Sequence, residues 1–195
     1  MASEYISSLF NAQQYSDISF QVQGEDESKV FYGHKAIIAS RCEYFRVLWT
    51  TDFSDSSQST LFIESSPASF ESVLGYFYKN KVEKDTNPDT ALEGIVLANA
   101  YLLPSLKNAY ERALIKGKCI GKFFFEKYHA KSIITTSDLT SVLYVLNMAD
   151  MHSAHELKFE CISFIIKNYN MISNKEEFNE LSAELRQEIR NRMDS

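Results

Sequence analysis

Glycine and proline are scarce in this chain, six and three of 195 residues. So few chain breakers leave little room for long disordered tracts. Cysteine is scarce as well. Cys42, Cys119 and Cys161 sit in separate segments without Cys-x-x-Cys spacing, which reads as unpaired thiols in a reducing compartment. No apolar run approaches the roughly 20 residues that span a bilayer, so no membrane partner is expected. Met1-Ala-Ser-Glu4 lacks the basic start and apolar core of a secretion signal, and no Asn-x-Ser/Thr acceptor occurs. The expected location is cytoplasmic or nuclear. Basic charge is also missing. The formal net charge is -6, and the nearest thing to a basic cluster is Lys116 with Lys118. A nucleic-acid footprint needs a concentrated cationic surface, so no nucleic-acid partner is expected.

Catalytic signatures are missing too. No phosphate-binding loop, nucleophile triad or metal-ligand spacing occurs, and the chain reads as a non-enzyme with no cofactor. His34 has no carboxylate or nucleophile with a sequence-defined place beside it. His152, His155 and Glu156 have helical spacing with Cys161 further on, but zinc asks for about four converging ligands. Leu157 and Ile165 share the face of Cys161, which places that thiol in a core.

What is present is apolar and patterned: 45% hydrophobic and 13% aromatic residues, ample for a packed core. Tyr5, Ile6, Leu9 and Phe10 fall on one helical face in residues 4–12. That face docks either on its own domain or on a second copy. Ile18, Phe20 and Val22 alternate with polar residues, which predicts a half-buried strand. Gly24 to Ser28 is the turn, and Lys29–Gly33 the return strand. Ser40-Arg-Cys-Glu43 has the letters of a capping box, opening a helix with Cys42, Phe45, Leu48 and Trp49 inward. Thr60–Ile63 reads as a short third strand.

Beyond it the pattern is helical. Ser66-Pro67 and Asn87-Pro88 are helix start signals. Phe70, Val73, Leu74, Phe77 and Tyr78 face inward after the first, and Leu92, Ile95 and Val96 after the second. Pro104 begins a helix that Gly117 stops, and further helices are expected near 121–131, 138–150, 155–169 and 182–193. Phe123-Phe124-Phe125 cannot lie on one helical face, since successive residues turn by about 100°; they form either a junction core or part of a partner groove. A self-comparison adds an internal repeat. Ala98 to Leu106, with Tyr110 and Leu114, aligns without gaps on Ala149 to Leu157, with Cys161 and Ile165, and Leu92 and Ile95 match Leu143 and Leu146.

Three stretches together resemble the BTB (POZ) domain. They are Ser16-Asp17-Ile18, the run His34-Lys35-Ala-Ile37-Ile38-Ala39-Ser-Arg41-Cys42-Glu-Tyr44-Phe45, and Phe70-Glu-Ser-Val-Leu74-Gly-Tyr-Phe-Tyr78. Ala98-Asn-Ala-Tyr-Leu-Leu-Pro-Ser-Leu106 is similar to a further segment of that family, closest in pattern to ankyrin-repeat BTB proteins, although no ankyrin repeats are present. The likeness implies an α+β fold, a short three-stranded sheet capped by helices, over residues 5–117. Residues 118–195 resemble the all-α BACK extension that often follows it.

The resemblance also implies partners. BTB domains commonly homodimerise through the N-terminal helix, which assigns Tyr5, Ile6, Leu9 and Phe10 to a dimer interface. Asp17 and Lys35 match the family's paired buried charges beneath that interface. BTB–BACK proteins often act as adaptors that bring a bound substrate protein to the cullin-3 scaffold of a ubiquitin ligase. The family's docking motif is apolar-x-Glu; the matching residues are Phe53, Asp55 and Ser56, with aspartate one methylene shorter than glutamate. The alternative is a self-assembly scaffold without cullin binding, a transcriptional or signalling platform.

Overall fold

A computed structural model of the chain describes residues 2–50, 58–83, 85–116 and 136–194. Phe53, Asp55 and Ser56, the helix expected over 121–131, Phe123-Phe124-Phe125 and the stop at Gly117 all lie outside the described residues. The chain divides into two compact units, Met1–Tyr110 and Glu111–Ser195.

The first unit is built on a three-stranded sheet of order β2-β1-β3. β1 (Ile18–Gln23) and β2 (Ser28–Gly33) pair antiparallel, Ile18 opposite Gly33; β3 (Thr60–Glu64) runs parallel to β1, Phe20 opposite Leu61. The period-two alternation has its expected effect: Ile18, Phe20 and Val22 are buried, and Gln21 and Gln23 face water. Helix α1 (Ala2–Ser8) precedes the sheet, and α2 (Lys35–Ala39) and α3 (Glu43–Thr50) follow β2. Next come α4 (Pro67–Lys79), α5 (Pro88–Ala100) and α6 (Pro104–Lys116). The ring of Phe70 on α4 lies 5.0 Å from that of Phe20 and 5.7 Å from that of Phe31, between centroids, which seats α4 on the inner face of the sheet.

Both proline start signals are caps. Ser66 accepts from the Ser69 N–H and Asn87 from the Asp89 N–H, with proline in the first turn each time. The Ser40 capping box is not formed. Lys35–Ala39 makes a short helix of its own and takes Ser40 as its C-cap. The Ser40 hydroxyl donates to the Ile37 carbonyl at 2.6 Å, while Glu43 pairs with Arg46 on its own helix. Cys42 and Phe45 are buried as expected, but Leu48, Trp49 and Val96 are only half-buried.

The second unit is helical throughout its described residues. It takes α6 from Glu111 onward, α7 (Thr136–Met151), α8 (His155–Lys167), α9 (Tyr169–Ile172), α10 (Glu176–Glu180) and α11 (Ala183–Met193). The expected helix over 155–169 ends instead at Lys167, and Asn168 separates it from α9. Ser182 caps α11 by accepting from the Leu185 N–H at 3.2 Å. The first turn of α8 has no capping side chain at Ala154. Buried Glu111 supplies one: its Oε2 accepts from the N–H groups of Glu156 at 2.9 Å and Leu157 at 3.2 Å. A carboxylate there satisfies two orphan donors and opposes the positive end of the helix.

The internal repeat is present in the backbone. In the first copy the Leu103 N–H bonds the Ala98 carbonyl at 2.8 Å and the Leu102 N–H bonds that of Asn99 at 3.2 Å. In the second, Ala154 bonds Ala149 at 2.8 Å and Ser153 bonds Asp150 at 3.1 Å. Both are Schellman terminations around a left-handed residue. Leu106, Tyr110 and Leu114 are buried, as are their counterparts Leu157, Cys161 and Ile165.

Candidate interaction surfaces

The N-terminal helix is held to the first unit by the turn that follows it. The Phe10 ring meets Tyr78 edge-on at 5.9 Å and lies under the Lys79 ammonium at 4.8 Å. A Cβ at Gly75 would touch that ring at 3.6 Å. Asn11, at φ 52°, turns its Oδ1 to accept from the Tyr32 N–H at 2.9 Å. Of the four residues on the apolar face, Phe10 therefore docks on its own domain. Ile6 and Leu9 are half-buried and Tyr5 is 73% exposed.

Asp17, at the mouth of β1, accepts from the Lys35 main-chain N–H through Oδ1 at 2.7 Å, placing a carboxylate on the first turn of α2. The Lys35 ammonium donates to the Gln58 carbonyl at 3.2 Å and lies 5.7 Å from the Trp49 ring. In the single chain Asp17 is exposed and Lys35 half-buried; the buried pair implied by resemblance is not a feature of one chain alone.

His34 is buried and structural. Its N–H donates to the Tyr78 hydroxyl at 2.9 Å, Nδ1 lies 2.9 Å from the same oxygen, and Nε2 lies 3.2 Å from the Gln14 carbonyl. A carbonyl only accepts, so Nε2 carries the proton and the Tyr78 hydroxyl donates to Nδ1. Burial pushes the Tyr78 phenol up to about 12. Both ring nitrogens are engaged within the fold. Among the described residues no group of three His, Cys, Asp or Glu side chains could hold a metal ion. Cys161 is wholly buried, and desolvation pushes its thiol up. None of the described helices is long and apolar enough to cross a membrane.

A sheet of this topology within a helical shell, followed by helical hairpins, agrees with the sequence profiles. The profile of the BTB/POZ domain matches residues 6–118, and that of BACK, BTB And C-terminal Kelch, matches 142–192. The chain belongs to the BTB/POZ family. It is 26% identical over 168 residues to human Rho-related BTB domain-containing protein 1, covering 83% of this chain and 21% of that protein. It is 26% identical over 183 residues to BTB/POZ domain-containing protein 9 of Bos taurus, covering 92% and 26%. With BTB/POZ and MATH domain-containing protein 6 of Arabidopsis thaliana it shares 23% identity over 180 residues, covering 89% and 40%. The chain thus spans from about a fifth to two fifths of these relatives. Among solved structures, the BTB domain of zebrafish PATZ1 matches 60% of this chain and 92% of its own, with 23% identity and a TM-score of 0.45. BTB and BACK domains are protein-interaction modules rather than enzymes.

Within the BTB domain, two surface features carry no periodic signal. On α3 the Tyr44 and Val47 side chains are exposed, immediately before the segment that contains Phe53. Leu102 is 71% exposed at φ 57°, a conformation that a bulky side chain rarely adopts. It lines a groove of about 370 Å³ with Arg41, Tyr76, Asn80 and Leu103. A third feature was legible: alternation along β3 puts Phe62 on the face opposite buried Leu61, and Phe62 is exposed.

Proposed function

We propose that this chain is a homodimerising BTB–BACK adaptor, cytoplasmic or nuclear, that recruits a cullin-3 scaffold for ubiquitination of a bound substrate protein. The observation that carries the reading is Tyr5: a tyrosine 73% exposed on a helix that is followed by a turn anchored through Phe10 and Asn11. A large aromatic held in water by an ordered helix favours a protein partner. A second copy, with Ile6 and Leu9 alongside, would bury it and would shield Asp17 and Lys35. The cullin arm is supported by α3, which presents Tyr44 and Val47 and leads into Phe53, Asp55 and Ser56.

A second reading has one observation in its favour, the aspartate at the glutamate position of the docking motif. It is a self-assembly scaffold, a transcriptional or signalling platform that dimerises without a cullin. Sedimentation velocity of the chain alone and mixed with the purified cullin-3 N-terminal region separates the two readings. The adaptor gives a dimer alone and a heavier complex in the mixture, and Tyr5→Asp yields monomers of unchanged helical content. A monomeric wild type at about 50 μM, within reach of weak interfaces, contradicts both readings.

A further inference from the structure

The sheet leaves one edge open. β3 pairs with β1 on one side only. Two bonds bracket the ladder between them: the Ser19 N–H to the Ser59 carbonyl at 2.8 Å, and the Ser65 N–H to the Gln23 carbonyl at 3.2 Å. With Ser19 opposite Thr60 and Gln23 opposite Glu64, parallel pairing turns the main-chain groups of Leu61 and Ile63 toward β1. Those of Thr60, Phe62 and Glu64 turn away. Among the described residues these three form no main-chain hydrogen bond on the outer side. The other edge is different: the Tyr32 N–H of β2 is taken by Asn11.

The open edge carries its own side-chain pattern. Phe62, at its centre, is 74% exposed on the outer face. It stands in register with Gln21, which has exposed Val30 on its other side. Glu64 ends the strand, and the β1–β2 turn, with Glu25, Asp26 and Glu27, lies at the same end. The Gly24 N–H bonds the Glu27 carbonyl at 2.8 Å, and a Cβ at Gly24 would come 3.4 Å from the Ser65 carbonyl. All four carboxylates are exposed and none forms an ion pair among the described residues. The nearest cation in sequence, Lys29, is held by Glu71 at 2.8 Å.

We propose that β3 is a strand-addition site for an extended, basic peptide segment of a partner protein. The partner's main chain completes the ladder at Thr60, Phe62 and Glu64. One of its apolar residues covers Phe62, and its Lys or Arg side chains meet Glu64 and the turn. Charge complementarity selects this occupant. A second copy of this chain carries a net charge of -6 and would bring more carboxylates to an edge already lacking cations. Main-chain bonds supply affinity in this mode, and alternate side chains supply selectivity. The site lies at the sheet edge opposite the one capped by Asn11, and it stands whether or not a cullin binds.

The test uses the full chain and a fluorescent nine-residue peptide of alternating lysine and valine, followed by anisotropy. Saturable binding is expected, with exchange protection appearing at the Thr60, Phe62 and Glu64 amides. It should weaken at least about tenfold when glutamate replaces the lysines or when alternate peptide amides are N-methylated. Two variants should have the same effect. Phe62→Pro deletes an N–H that the β1 ladder does not use. The quadruple Glu25→Gln, Asp26→Asn, Glu27→Gln, Glu64→Gln changes exposed side chains only and secures the result should the proline perturb folding. No saturable binding overturns the proposal, as does binding indifferent to N-methylation. Self-association of the chain that Phe62→Pro abolishes would overturn it as well, because the edge would then belong to a second copy.

Discussion

Leu102 and Ser153 stand 51 positions apart and hold the same left-handed backbone conformation, φ 57° and 52°. Each lies two residues past a helix end, and each is followed by the N–H that reaches back to close the Schellman turn. A sequence repeat with only scattered identities therefore encodes one local geometry twice, once in each compact unit. Neither turn uses glycine, the residue that adopts this conformation without a steric penalty.

That omission predicts a stability gain. A non-glycine residue in the left-handed region is disfavoured by about 1–2 kcal/mol, partly offset by the extra freedom of glycine in the unfolded chain. Leu102 buries little, so Leu102→Gly should raise the unfolding free energy by about 0.5–1 kcal/mol, and Ser153→Gly by a similar amount. Leu102→Val, β-branched, should lower it. Urea unfolding midpoints are the measurement.

At Gly94 the opposite sign is expected. A Cβ there would lie 2.6 Å from Cζ and 2.7 Å from Cε2 of Tyr110. That ring is buried and fixed by its hydroxyl donating to Ser72 Oγ at 2.8 Å. In an open helix Ala gains roughly 1 kcal/mol over Gly, but overpacking of this kind costs about 1–3 kcal/mol or more. Gly94→Ala should therefore be net destabilising. Tyr110→Leu should reverse the sign of the Gly94→Ala effect, and Tyr110→Phe should not, because the clash is with the ring.

Alkaline pH should unfold the protein through its buried phenols. Burial raises Tyr78 and Tyr110 each to about 12 from an ordinary value of 10.0, and Tyr101 is pushed up as well. Above pH 10 the unfolded chain gives up these protons while the folded one keeps them. The stability they contribute is complete below pH 10 and is lost as pH rises through 12. Chemical unfolding in steps from about pH 9 to about pH 12 should show falling midpoints, and Tyr78→Phe and Tyr110→Phe should each flatten the fall.

Much of the fold was legible because its signals are local. The alternation of Ile18, Phe20 and Val22 needs only neighbours, and Ser66-Pro67 and Asn87-Pro88 fix helix starts within one turn. Ser40 misled because Ser-x-x-Glu has the same letters at the end of one helix as at the start of another. The short helix Lys35–Ala39 decided between them. Periodicity put Tyr5 and Phe10 on one face, but only Tyr78 and Lys79, far along the chain, show why Phe10 docks and Tyr5 does not. Glu111 gave no signal at all, since the two amides it caps lie 45 and 46 residues away. Surface sites on this fold depend on such long-range partners, so the motif stretches from Ser16 to Tyr78 mark a BTB domain more readily than they mark what the domain binds.

The adaptor reading holds that this BTB–BACK chain binds a cullin. Its most direct test is calorimetric titration of the purified cullin-3 N-terminal region into the wild type and Phe53→Arg. The expected result is saturable binding at one cullin per chain, weakened at least about tenfold by Phe53→Arg and strengthened by Asp55→Glu. Absence of measurable heat with both the wild type and Asp55→Glu, each chain folded and dimeric, would contradict the adaptor reading and leave the self-assembly scaffold in its place.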